Sequence, residues 1–143
     1  MLNFLRKNKF VISAIATAIV FIGVIIAFHS MDGVENKKVV EYIEGFGWDI
    51  EQTPVEISHL TIPQTFDVVF ESYNQHQKEA GFDLTSFKGV RVKRYSYRVF
   101  NHRYSDVTTT RANVLVLNGE IVAADISSTD FIHAINDTQW ITE

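Results

Sequence analysis

The chain contains no cysteine. That excludes disulfides, thiolate nucleophiles, thiolate metal sites and lipoprotein-type lipid attachment, so any hold on a membrane has to come from the polypeptide itself. The absence fits an extracytoplasmic bacterial protein, and it fits a small cytosolic one equally well. Internal repeats, low-complexity stretches and long linkers are also missing, which leaves room for one ordinary domain. No HExxH pair, GxSxG elbow or phosphate-cradling glycine loop occurs, so the motif-bearing metalloprotease, serine-hydrolase and nucleotide-binding classes have no support.

Charge is absent from Phe10 to Phe28, FVISAIATAIVFIGVIIAF. As a helix these residues extend about 28 Å, close to the thickness of a bilayer core. Ser13 and Thr17 fit such a span because a hydroxyl can bond back to the helix carbonyl one turn earlier. Arg6, Lys7 and Lys9 precede the run, whereas His29, Ser30, Met31 and Asp32 follow it. The positive-inside rule then places residues 1–9 in the cytoplasm as a leader, residues 10–28 in the membrane as a single-pass anchor, and residues 32–143 outside. A cleaved secretory signal and a buried core helix are the alternatives. The run is longer than a signal's apolar region, and neither Ala27 with His29 nor Phe28 with Ser30 offers small residues at both cleavage-specificity positions.

About 110 residues remain to fold, the size of one domain. The chain is 46% hydrophobic and 13% aromatic, with Phe occurring 11 times, so that part can bury a core and disorder is excluded. Removing Arg6, Lys7 and Lys9 from the 13 basic residues leaves ten against 17 acidic ones. A net negative domain outside the membrane is a poor partner for nucleic acid.

Asp32 and Glu35 resemble a capping box opening a helix over Val34 to Phe46, with Val39, Val40, Ile43 and Phe46 on one face and Gly47 at its end. Alternation of Val55 and Ile57 with Glu56 and Ser58 gives a strand at a sheet edge. Pro63 opens a second helix, Pro63 to Ala80, closed by Gly81, with Phe82 and Leu84 packing back. Three β-rich segments follow: Val90 to Phe100, Thr109 to Leu117 and Glu120 to Ser127. Asn118-Gly119 between the last two is a two-residue hairpin signal. Val90 and Val92 have one parity and Tyr95, Tyr97 and Val99 the other, which suggests a bulge near Lys93 and Arg94. The segment TDFIHAIN reads as a turn of helix. The fold class expected is α+β, with two helices packed on an antiparallel sheet of about four strands and a C-terminal β-meander.

The stretch IPQTFDVVFESYNQHQKEAGFDLTSFKGVRVKRYSYRVFN, with EYIEGFGWDI before it and ADIS after the hairpin, resembles the bacterial family domain of unknown function 4830. The likeness covers about Val34 to Ile135. It is carried by Ile62-Pro63, Tyr73-Asn74, Gly81-Phe82 with Leu84, Gly89, Arg94-Tyr95 with Tyr97, Asn101 and Asp125-Ile126. Ala123 and Ala124 stand where the family pattern has glycines. The resemblance implies a membrane-anchored or secreted protein of the Gram-positive envelope, and it implies no activity.

The basic stripe is the least ordinary feature: Lys88, Arg91, Lys93, Arg94, Arg98, Arg103 and Arg111 meet only Asp106 between 88 and 111. Its plain role is a solvated sheet face that discourages edge pairing. Its sharper role is a recognition patch of Arg94, Tyr95, Tyr97, Arg98 and Asn101 for an anionic ligand or an envelope protein, since arginine and tyrosine offer planar donors and large contact areas; the alternative is that both tyrosines pack under the helices. Asp125, near the end of an apolar strand, needs a partner or exposure, and a salt bridge to Arg94 or Arg98 is the simplest. His29, His59, His76, His102 and His133 lack ligand spacing and read as surface residues, so neither a metal nor a cofactor is implied. The function expected is a non-enzymatic binding module of the envelope. An envelope hydrolase or other enzyme with a site around Asp125 is the alternative, and it requires a pocket where Asp125 or a histidine meets a second polar group.

Overall fold

The computed structural model describes residues 2–142, with side chains described at 13–25 and 33–142. The chain divides into two compact units, Met1–Glu35 and Asn36–Glu143. Helix α1, Leu2–Glu44, accounts for the first unit and opens the second.

In the first unit Ile15, Ile19, Phe21 and Ile25 are exposed. Thr17 Oγ1 donates to the Ser13 carbonyl at 2.9 Å, the back-bond expected of a hydroxyl in an apolar helix. Among the described residues no helix is long and apolar enough to cross a membrane. Both ends of the expected span, 10–12 and 26–28, lie outside the described side chains. The expected helix start at Asp32 is absent, because the backbone is already helical on both sides of it.

The second unit is an α+β fold. Its sheet has five strands rather than about four, in the order β1-β2-β3-β4-β5 with every neighbour antiparallel. The strands are β1 Glu56–Thr61, β2 Arg91–Arg98, β3 Arg111–Leu117, β4 Glu120–Ser127 and β5 Ile132–Ala134. β1 takes the edge expected of the Val55 segment. β5 replaces the expected helical turn: Ile132 and Ala134 face Ser127 and Asp125 across the ladder, and the β-branched residue suits that edge. Asn118 and Gly119 have φ of 51° and 78°, the two positive values a tight type I′ hairpin demands.

Both faces of this sheet are covered, which explains the parity change in β2 without a bulge there. Tyr95, Tyr97 and Val99 pack with Ala112, Val114, Ala124 and Ile126 under Val39, Val40 and Ile43 of α1. Val92 points the other way, into a smaller core with Ile62, Leu84, Leu115 and Ala123. The pairings of β1 with β2 and β2 with β3 are regular throughout. The bulge lies between β3 and β4, where Val116 faces Ile121 but Leu115 faces Ala123, leaving Val122 unpaired.

Helix α2, Val68–Glu79, begins five residues after Pro63. Asp67 wins the start because its carboxylate accepts the Phe70 N–H at 2.8 Å, satisfying a donor that proline could not cap. Phe66 then packs against Phe70 with ring centroids 4.5 Å apart. At the other end Gly81, at φ 89°, lets its own N–H reach the Lys78 carbonyl and that of Phe82 reach Gln77, a Schellman closure as expected.

Candidate functional site

In an antiparallel ladder, residues paired across strands share a face. One row of partners runs Glu56, Ser96, Asn113, Asp125 across β1 to β4, polar on every strand. Arg94 and Arg111 lie on the same face, one pairing step to either side. A row of this kind inside a covered sheet needs internal partners, because each buried polar group left alone is costly.

The partners are present. Asn113 uses both ends of its amide: Oδ1 accepts from Ser96 Oγ at 2.7 Å, and Nδ2 donates to Asp125 Oδ1 at 2.9 Å and to Ser127 Oγ at 2.8 Å. Tyr73 of α2 donates its hydroxyl to Asp125 Oδ2 at 3.1 Å. Gln77, one turn further on, brings Nε2 to 3.5 Å from the same oxygen, while its Oε1 accepts the Ala124 N–H at 2.8 Å. Glu56 gathers the cations, with Arg94 Nη2 at 2.7 Å and Arg111 Nη1 at 3.4 Å.

Electrostatics follow from this geometry. Asp125 is 3% exposed, and burial raises its carboxyl above the usual range despite hydrogen bonds from Asn113, Tyr73 and Ser127 that favour the anion. Tyr73 is pushed well up, first by burial and then by the neighbouring Asp125 charge. Glu56 is held low, chiefly by the Arg94 hydrogen bond. In this otherwise satisfied network, Arg94 Nε is a buried donor without an acceptor.

Tyr73, Arg94, Asn113 and Asp125 line a cleft between α2 and the sheet, which continues past α2 over the sheet and its flanking loops alone. One part, about 370 Å³, has apolar walls from Leu60, Val69, Phe70, Leu115 and Ile132. The adjoining part, about 400 Å³, is lined by Ser96, Thr109, Arg111, Ser128 and Thr129. Arg94, Asn113 and Ser127 line both.

The residues expected to form one patch are therefore divided. Arg94 and Asp125 reach the cleft, though without the expected salt bridge, since Arg94 pairs with Glu56 and Asp125 with Asn113 and Tyr73. Tyr95 and Tyr97 are fully buried on the opposite face, stacked 6.3 Å apart, with Tyr97 donating its hydroxyl to Asn36 Oδ1 at 2.8 Å. Arg98 is exposed at the end of β2, its guanidinium 5.5 Å from the Phe100 ring centroid. Asn101 braces a turn, accepting the Asp49 N–H and donating to the Gly47 carbonyl. Sequence reasoning missed Tyr73, Gln77, Asn113 and Glu56. The four-residue step from Tyr73 to Gln77 puts both on one helix face and was the available signal.

A second cavity, about 500 Å³, is lined by Tyr104, Val107, Thr108, Asp130, Phe131, His133 and Trp140. Beneath it His102 is 1% exposed, which corrects its reading as a surface residue. Its ring lies near-parallel to those of Phe131 and Trp48, and His133 stacks on Trp140 at 4.5 Å. Burial lowers both imidazoles below their ordinary value. Among the described residues no group of three or more His, Asp or Glu could hold a metal ion.

Residues 42–126 match the family model described as Domain of unknown function (DUF4830). The chain belongs to this family. The DUF4830 match takes in Tyr73, Gln77, Arg94, Asn113 and Asp125, and it ends one residue before Ser127. No curated protein and no solved structure matches the chain. The DUF4830 assignment fixes kinship and carries no activity with it.

Proposed function

We propose that this chain is a single-pass membrane protein whose extracytoplasmic domain is a non-enzymatic binding module of the cell envelope, with the cleft under α2 as its site. The anchor rests on the charge-free run from Phe10 to Phe28 and on the three cations before it. The binding role rests on one observation: Arg94, Asn113 and Ser127 stand where an apolar cavity meets a polar one. Apolar walls with a few convergent polar groups are the usual make-up of a small-molecule site.

The enzyme reading has one point in its favour, because Asp125 does meet Tyr73 and Asn113 beside a cavity. Binding accounts better for the arrangement. Both carboxylate oxygens are engaged, Asp125 is almost fully buried, and the Ser127 hydroxyl is held by Asn113.

Native mass spectrometry of the full chain released from its own membranes tests the proposal. The expected result is a bound small molecule on the wild type that is depleted on Arg94→Gln. Wild-type protein that emerges without an adduct, or an adduct indifferent to Arg94→Gln, would overturn it.

A further inference from the structure

Resting on the cleft as the binding site, we infer that its ligand is an uncharged aliphatic alcohol, a hydrocarbon chain ending in a hydroxyl. The chain follows from the walls. Leu60, Leu115 and Ile132 of the sheet face Val69 and Phe70 of α2 across the apolar part, and Val69 is 73% exposed, so a hydrocarbon lying there removes apolar surface from water. The volume of about 370 Å³ sits at the low end for small-molecule sites and suits one narrow chain.

The head is selected by charge and by donor count. Arg94 and Arg111 stand against Glu56 and Asp125, two charges of each sign, so neither an anion nor a cation finds an excess to neutralise. Both carboxylates are already engaged, Glu56 by the two guanidiniums and Asp125 by Asn113 and Tyr73. Where Asp125 takes up a proton, the cation left over is Arg111, which is 44% exposed and met by water. A charged head would therefore give up its hydration for no partner.

Lone pairs are what the junction of the two parts still offers. Asn113 spends both amide hydrogens on Asp125 and Ser127, and Ser127 turns its hydroxyl hydrogen to Asp125. Among the described residues Asn113 Oδ1 accepts from Ser96 alone and Ser127 Oγ from Asn113 alone, so each oxygen keeps a lone pair. Arg94, 36% exposed beside them, gives one terminal N–H to Glu56 and has others to donate, while its Nε–H is buried and takes no part. A hydroxyl meets both needs at once, donating to Asn113 or Ser127 and accepting from Arg94. A carboxylate or phosphate anion can only accept, and an ammonium can only donate and meets the charge of Arg94.

The test is methyl NMR of the full chain in zwitterionic phosphatidylcholine nanodiscs, read at Leu60, Val69, Leu115 and Ile132 against free ligand concentration. Titrants are 1-hexanol, 1-octanol, heptyl methyl ether, octanoate and octylammonium. Octanol is expected to shift these methyls saturably, and to bind tighter than hexanol by about four-fold per added methylene. Heptyl methyl ether, an isomer of octanol that accepts but cannot donate, should bind about three- to ten-fold more weakly. Octanoate and octylammonium should each bind at least about ten-fold more weakly than octanol. Ser127→Ala should narrow the gap between octanol and the ether. Arg94→Gln leaves an excess of negative charge, so octylammonium should gain on octanol there, with unchanged Val114 and Ile126 methyls on the other face reporting an intact fold. Either ion matching octanol on the wild type would refute the uncharged class, and the ether matching octanol would refute the hydroxyl, both leaving the cleft as a site. Octanol that shifts nothing, while the Arg94-dependent adduct is found in native spectra, would also refute the class alone. If that adduct is missing as well, both readings fall.

Discussion

The side-chain carbonyl of Gln77 accepts the backbone N–H of Ala124 at 2.8 Å, which ties α2 to β4 one residue beyond the last β4–β5 pair, Asp125 with Ala134. Because Gln77 is fully buried, nothing else can serve that N–H when the amide is removed. We expect Gln77→Ala to cost about 1–3 kcal/mol and Tyr73→Phe, which deletes one bond to Asp125, about 1 kcal/mol. Chemical unfolding of the full chain in micelles measures both. Equal losses in the two variants would mean that the Gln77 clasp contributes nothing special.

The raised Asp125 carboxyl makes stability depend on pH in the less common direction. A folded value above the ordinary 3.8 means that its contribution is fully present below that value and is lost as pH rises through the folded one. Asp125→Asn keeps an acceptor for Asn113 and removes the titration. Melting temperatures of the two proteins, taken from about pH 4 upward, are expected to show wild type losing ground to the variant. A constant difference, or wild type gaining, would contradict the buried-carboxyl account.

His102 and His133 run the other way. Both lie below the ordinary 6.5, mainly through burial, so they contribute stability that is present above 6.5 and lost as pH falls through the folded values. Protonation places charge inside a stack of rings that includes Trp140 and Trp48. Tryptophan emission is therefore expected to shift to the red between about pH 7 and 5, less so in His133→Phe. Emission that stays constant over that range would rule out coupling of these rings to pH.

For topology, alkaline phosphatase fused to the C-terminus is expected to be active, and a cytoplasmic reporter at the same position inactive. The reverse pair of results would put the domain on the cytoplasmic side.

Much of the domain was legible because its signals are local. Gly81 closing α2, the Asn118-Gly119 turn and the consecutive pairing of β2, β3 and β4 each follow from a few adjacent residues. The polar row was not legible. Glu56, Ser96, Asn113 and Asp125 are neighbours only through strand register, which no single segment carries. Tyr95 and Tyr97 alternate with Arg94, Ser96 and Arg98, so a period of two already puts them on the face opposite the arginines, where α1 covers them; a single patch of all of them runs against that alternation. The β5 edge was misread because three residues with one partner strand give too short a period to separate from a helical turn.

The unpaired Val122 has a consequence for how the hairpin assembles. If β3 and β4 zipped straight from Asn118-Gly119 without that skipped residue, Ala112 rather than Asn113 would meet Asp125, and the carboxylate would enter the oily layer beneath α1. Stripped there of Asn113 and Tyr73, it would make the slipped register reject itself. The same acid that lines the cleft would thus act as a proofreader of strand alignment.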